Sequence, residues 1–141
     1  MENRERCKRI AETLDRIAAG EFIVCPECGD YIDTTDAAGN YNMESESFTC
    51  PHCGATVDEC DAEYASMYDY FQDCYDVEYR INGNKEYRSV ELLVAFGGPN
   101  IYVDTGAGRV KLYWWTEYAD YPLKSETRDA IDDAFQDLFN C

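Results

Sequence analysis

Apolar residues recur at three- and four-residue spacing through residues 2–19. Cys7, Ile10, Leu14, Ile17 and Ala18 share one stripe, and Gly20 offers a C-terminal stop. The stripe is narrow, which predicts a helix packing on the module that follows it. Residues 22–57 break into short β pieces and turns around two cysteine pairs, with a Gly/Asn/Ser-rich insert at 36–47. Over residues 58–76 the period is again helical. Cys60, Tyr64, Met67, Tyr68, Phe71, Cys74 and Tyr75 fall within an arc of about 120° at 100° per residue. Asp58, Glu59, Glu63, Asp69, Asp73 and Asp76 lie opposite, which predicts an aromatic core face backed by a carboxylate face.

The period then changes to two. Val77, Tyr79 and Ile81 alternate with Glu78 and Arg80, and Asn82-Gly83-Asn84 reads as a tight turn. The nearly continuous apolar run 90–96 predicts a central strand, ended by Gly97-Gly98-Pro99-Asn100. Residues 101–104 and 110–114 flank the turn Thr105-Gly106-Ala107-Gly108, completing an antiparallel meander of about four strands. Ser125 reads as an N-cap. Ile131, Ala134, Phe135 and Leu138 form the apolar face of a last helix, and Glu126, Asp129, Asp132, Asp133 and Asp137 form its other face. The predicted class is α+β: an N-terminal helix (1–20), a zinc-ribbon module (21–57) and an acidic α+β domain (58–141) holding a helix, the meander and a C-terminal helix.

The cysteines add chemistry to this outline. Cys25-Pro26-Glu27-Cys28-Gly29 and Cys50-Pro51-His52-Cys53-Gly54 are two copies of one hook. Two cysteines three apart at a tight turn aim both sulfurs at one point. Glycine after the second cysteine permits the positive φ that turns backbone N–H groups toward the thiolates. Two such hooks close a tetrahedral site for one structural Zn²⁺ on Cys25, Cys28, Cys50 and Cys53. Four thiolates leave no open position, and one Zn²⁺ among them leaves two net negative charges. The competing readings are a disulfide pair and a rubredoxin-like iron. His52 reads as an exposed knuckle residue, and Cys60 and Cys74 as buried free thiols.

Charge narrows the function. The chain has 141 residues with 29 acids against 12 bases, a net of −17. Five of the bases, Arg4, Arg6, Lys8, Arg9 and Arg16, precede Ile17, and no Lys or Arg follows until Arg80, whereas 17–79 holds 15 acids. Binding to nucleic acid through phosphates needs the opposite sign, as does an anionic membrane surface. No apolar run reaches the roughly 18 residues of a spanning helix. The Met1–Arg6 segment runs into no apolar stretch, so the expected compartment is the cytoplasm, with reduced cysteines. His52 is the single histidine, so Ser–His, Cys–His and multi-histidine chemistry are absent, and no phosphate-binding loop occurs. The expectation is a protein that is not an enzyme.

The like-charge pairs Glu59/Glu63, Asp69/Asp73 and Asp133/Asp137 cost a helix roughly 0.2–0.5 kcal/mol each. Carboxylates about 6 Å apart along a helix approach the charge density of a nucleic-acid strand. The block Gly97-Gly98-Pro99-Asn100-Ile101-Tyr102-Val103-Asp104-Thr105, followed by Val110-Lys111-Leu112-Tyr113-Trp114-Trp115, resembles small accessory proteins of phages and mobile elements. In size, acidity and zinc hooks the chain is similar to anti-CRISPR proteins, some of which keep a type II CRISPR nuclease from loading DNA. The resemblance implies an inhibitor that occupies the basic nucleic-acid groove of a CRISPR effector nuclease as a DNA mimic, touching neither nucleic acid nor membrane. The resemblance assigns no residues; the acidic helix faces supply the expected contacts, Asp58, Glu59, Glu63, Asp69, Asp73 and Asp76 together with Asp129, Asp132, Asp133 and Asp137. Two alternatives stand beside it: a DNA-mimic inhibitor of a restriction system, and a zinc-ribbon adaptor between proteins.

Overall fold

A computed structural model describes residues 2–141. Helix α1 (Glu2–Ala18) buries Cys7, Ala11, Leu14 and Ile17. It ends at Gly20, where the N–H groups of Gly20 and Glu21 close onto the carbonyls of Ile17 and Arg16. Strands β1 (Phe22–Val24) and β2 (Tyr31–Asp33) form one hairpin. Strands β3 (Tyr41–Asn42), β4 (Ser47–Thr49) and β5 (Thr56–Asp58) form a three-stranded sheet. After the short helix α2 (Met67–Phe71), strands β6 (Asp76–Ile81), β7 (Tyr87–Ala95), β8 (Asn100–Asp104), β9 (Arg109–Trp114) and β10 (Glu117–Pro122) make an antiparallel meander in chain order. Helix α3 (Ser125–Phe139) closes the chain. The α+β class and the order of elements match the sequence reading. The meander gains a fifth strand, β10, whose mixed Glu-Tyr-Ala-Asp-Tyr-Pro sequence carries a weak period.

Three expectations need correction. The helix expected over 58–76 shrinks to Met67–Phe71. Residues 63–65 instead run beside β1: Tyr64 bridges Ile23, Val24 N–H donates to the Glu63 carbonyl, and Ala65 N–H donates to the Phe22 carbonyl. Ser66 then restarts the chain as a helix cap, its hydroxyl accepting from Asp69 N–H while the Asp69 carboxylate accepts from Ser66 N–H. Asp, Tyr, Cys and Ser are weak helix formers, so pairing with β1 wins over the amphipathic period. Consequently Cys60, Tyr64, Tyr68 and Tyr75 are exposed, and only Met67 and Phe71 of the expected apolar face are buried. The second correction concerns α1, which packs mainly on β9, β10 and α3 and meets the cysteine module only near its C-terminal end, where Arg16 reaches Asp33 and Phe22. The third is at α3, where Lys124 takes the N-cap position and Ser125 is the first helical residue. Asp15 of α1 fastens this end of the helix by accepting from Lys124 N–H and Thr127 Oγ1.

The main core lies on one face of the five-stranded sheet. Val90 and Leu92 of β7, Ile101 and Val103 of β8, and Val110 and Leu112 of β9 meet Leu14, Ile131 and Phe135. A second, smaller core of Ile23, Cys25, Ile32, Phe48, Cys50 and Val57 sits in the cysteine module. Strand β1 is the wall between them. Ile23 joins the small core, while Phe22 and Val24 pack on the large one, as alternation in a strand dictates.

The other face of the large sheet is open. Its centre is a four-charge network across neighbouring strands. Arg80 grips Asp104 with two bonds of 2.7 and 3.1 Å. Lys111 bridges Asp104 at 2.8 Å and Glu91 at 2.7 Å. The side chain of Asp104 is 3% exposed. Gly106 leaves room for it, because a Cβ there would stand 2.9 Å from Arg80 Nη1 and displace the guanidinium from Asp104. Burial pushes the Asp104 carboxyl up, but the bonds from Arg80 and Lys111 overcome it and hold the group well below the usual carboxylate range.

The turn between β9 and β10 is Trp115-Thr116, and Trp115 has φ +55° with 87% of its surface exposed. For a residue with a Cβ, that left-handed conformation costs roughly 1–2 kcal/mol.

Asp104→Asn leaves Glu91 as the one anion between Arg80 and Lys111 and is expected to destabilise the protein by about 1–3 kcal/mol at pH 7. Because the folded state depresses this pKa, the stabilisation is full above the unfolded carboxyl value of about 3.9 and fades as pH falls toward the folded value. Urea unfolding should therefore show a wide gap between wild type and variant at pH 7 that narrows below about pH 4. A gap independent of pH would contradict this account.

Candidate metal centre and acidic surfaces

Each hook is the tip of a hairpin, β1–β2 for the first and β4–β5 for the second. Their backbone bonds correspond one to one. Cys25 N–H donates to the Asp30 carbonyl and Gly29 N–H to the Cys25 carbonyl, at 2.9 and 2.8 Å. Cys50 N–H donates to the Ala55 carbonyl and Gly54 N–H to the Cys50 carbonyl, at 2.8 and 2.9 Å. Gly29 and Gly54 both have φ +78°, where a side chain would be strained. The repeated sequence therefore folds as a repeated backbone.

The hooks face each other. All four sulfurs lie within 4.8 Å of one another. Cys25 Sγ is 3.6 Å from Cys53 Sγ, and Cys28 Sγ is 3.6 Å from Cys50 Sγ. Bonds of about 2.3 Å to a tetrahedral metal set sulfurs roughly 3.8 Å apart, so the four thiols fit one ion. They are free rather than paired in disulfides. The Cys28 N–H reaches the Cys25 sulfur and, with help from Glu27 N–H and against burial, holds that thiol down to about 7. A thiol so held gives up its proton readily to a metal. Cys25 and Cys50 are buried, and Cys28 and Cys53 face solvent. His52 is exposed on the knuckle, as read from the sequence. Cys60 is exposed and Cys74 half-buried, so the expectation of two buried thiols fails with the long helix.

The carboxylates named from the sequence do not share one face. Asp58 ends β5, Glu59 opens a 3₁₀ turn and Glu63 lies in the stretch along β1. Asp69 is in α2, Asp73 follows it, and Asp76 begins β6. Glu59 accepts from Tyr41 Oη at 2.7 Å and Asp69 is engaged by Ser66. All six are exposed, but they spread over both lobes. On α3, Asp129, Asp133 and Asp137 fall at four-residue intervals and all three are exposed. Asp132 turns aside and accepts from Tyr87 Oη at 2.6 Å, tying α3 to β7. The carboxylate row expected on two helices is thus present on one.

Four of the twelve cations are committed to tertiary ion pairs within the fold. Arg16 pairs with Glu21 and Asp33, Arg80 and Lys111 with Asp104 and Glu91, and Arg109 with Asp120. Residues 21–64 hold eleven carboxylates and no Lys or Arg. Among the described residues, no helix is long and apolar enough to cross a membrane.

The two cores make the outcome of breaking the cluster specific. Cys50→Ser is expected to abolish stoichiometric metal binding and to melt residues 21–64, while amide signals of β7, β8 and β9 persist because their core lies elsewhere. Metal analysis together with two-dimensional NMR checks both halves, and full stability in a strong chelator would contradict the cluster's structural role. No family model, no curated protein and no solved structure matches this chain.

Proposed function

We propose that this protein is a non-catalytic inhibitor that docks on the basic nucleic-acid groove of another protein and keeps nucleic acid out, with Cys25, Cys28, Cys50 and Cys53 holding one structural Zn²⁺. The observation that carries the reading is the metal lobe: eleven carboxylates in 21–64 with no Lys or Arg, to which a zinc tetrathiolate adds two more negative charges. Such a single-signed field steers a cationic partner over distance. It repels nucleic acid itself. On the resemblance stated above, the target is a CRISPR effector nuclease prevented from loading DNA, and a restriction enzyme is the alternative with the same electrostatics.

The metal's part is mechanical. Zinc suits four thiolates with no open position, and its binding would contribute on the order of 10 kcal/mol to folding a lobe whose own core is six buried residues. The mimicry rests on α3, where Asp129, Asp133 and Asp137 project at about 6 Å intervals, and on the carboxylates of the metal lobe. An adaptor role is favoured by a different feature, the exposed aromatic side chains of the β9–β10 hairpin.

Changing Asp129, Asp133 and Asp137 together to Lys should leave the fold intact, since all three side chains are exposed and Lys forms helix better than Asp. Affinity for a type II effector nuclease should fall by at least about 100-fold, and wild-type binding should weaken steeply with added salt. Inhibition of DNA loading measured at two ionic strengths is the check. Salt-independent inhibition that survives the triple change would refute groove occupancy and favour the adaptor.

A further inference from the structure

The tip of the β9–β10 hairpin is built against its own stability. Trp115 occupies a left-handed backbone position that glycine fills without strain, and its side chain is 87% exposed, so little packing in the fold offsets that strain. Such a residue persists where its side chain serves something outside the chain. It is not isolated. Tyr113, Trp114, Trp115 and Tyr118 are four aromatics within six residues, 44%, 37%, 87% and 50% exposed. Trp114 and Trp115 stand edge to face at 5.8 Å. Tyr118, Tyr113 and Tyr102 step across three strands of the open sheet face with ring centroids 5.0 and 5.9 Å apart.

We propose that this aromatic hairpin is a docking surface that receives arginine side chains of a cationic protein partner. The proposal rests on the acidic-inhibitor reading for the sign of the partner's charge. Three observations select arginine. The chain's net charge of −17 draws cations and repels phosphates, which excludes stacked nucleic-acid bases on electrostatic grounds. The cations beside the ladder, Arg109 and Lys111, are already held by Asp120, Asp104 and Glu91, so they do not repel an incoming guanidinium. The molecule also uses guanidinium-on-ring contacts elsewhere: Arg4 lies 4.9 Å over the Tyr121 ring and Arg16 lies 4.4 Å over the Phe22 ring. Planar guanidinium stacks on aromatic faces better than an ammonium does. Exposed Trp and Tyr are the side chains that most often anchor protein interfaces.

The test uses the full zinc-loaded chain and two labelled decapeptides, one alternating Arg with Ser and one alternating Lys with Ser, read by fluorescence anisotropy. Wild type should bind the Arg peptide about tenfold more tightly than the Lys peptide. Trp115→Gly should erase that preference while melting at the same or a higher temperature, because the backbone strain is relieved. Changing Asp129, Asp133 and Asp137 to Asn should weaken both peptides in parallel and keep their ratio. An unchanged ratio in Trp115→Gly overturns the proposal, as does equal binding of the two peptides to wild type, and in both cases the acidic reading stands. Binding of neither peptide overturns both. Saturable binding of an oligo-dT strand that Trp115→Gly abolishes would assign the hairpin to base stacking and also overturn it.

Discussion

Val90, Leu92, Ile101, Val103, Val110 and Leu112 point toward helices, and the residues alternating with them along the same strands point toward water. A sheet roofed on one side only constrains everything on its other side. The outward positions must be stable in solvent without offering an edge or an apolar plane to aggregation. Here they are filled in two ways. Toward the Asp104–Gly108 turn they are Arg80, Glu91, Asp104 and Lys111, a neutral set of two cations and two anions bonded across the four strands β6 to β9. Toward the opposite end they are Tyr102, Tyr113 and Tyr118. The first group locks strand register. The second leaves an aromatic surface unoccupied by the fold.

The same economy of cations shapes the whole surface. With 12 bases for 29 acids, each Arg or Lys spent on holding strands together is one fewer to neutralise the exterior. Arg16 ties α1 to Glu21 and Asp33 on either side of the β1–β2 hairpin. Arg109 ties β9 to β10 through Asp120. The acids that remain unpaired therefore set the outward potential, and the metal lobe, which has no base of its own between residues 21 and 64, is its most concentrated region.

The lobe and the sheet are joined through β1 rather than through a linker. Alternating side chains send Ile23 into one core and Phe22 and Val24 into the other. The stretch 63–65 pairs along the same strand. The four-cysteine cluster is thereby held at a fixed orientation to the sheet.

Local chemistry was legible in the sequence wherever the determining contacts are near in the chain. The two hooks are each closed by bonds spanning four or five residues, so spacing alone located Cys25, Cys28, Cys50 and Cys53. Strands with alternating or continuous apolar runs, the hairpin turns between them, and the last helix were readable for the same reason, because period and turn residues are local signals. Tertiary structure decided the rest through long-range pairing. An amphipathic period over 58–76 lost to hydrogen bonds with β1, some forty residues earlier, and its carboxylate face dispersed with it. The packing of α1 on β10 and the bonds Asp15 makes at the start of α3 depend on residues about a hundred or more positions apart, while the fifth strand pairs locally with β9 and was hidden only by its weak period. The ion network centred on Asp104 joins residues up to 24 positions apart, Arg80 of β6 reaching across β7 to Asp104 of β8. The strain at Trp115 is a backbone angle, which becomes visible only once strand register forces a two-residue turn at that position.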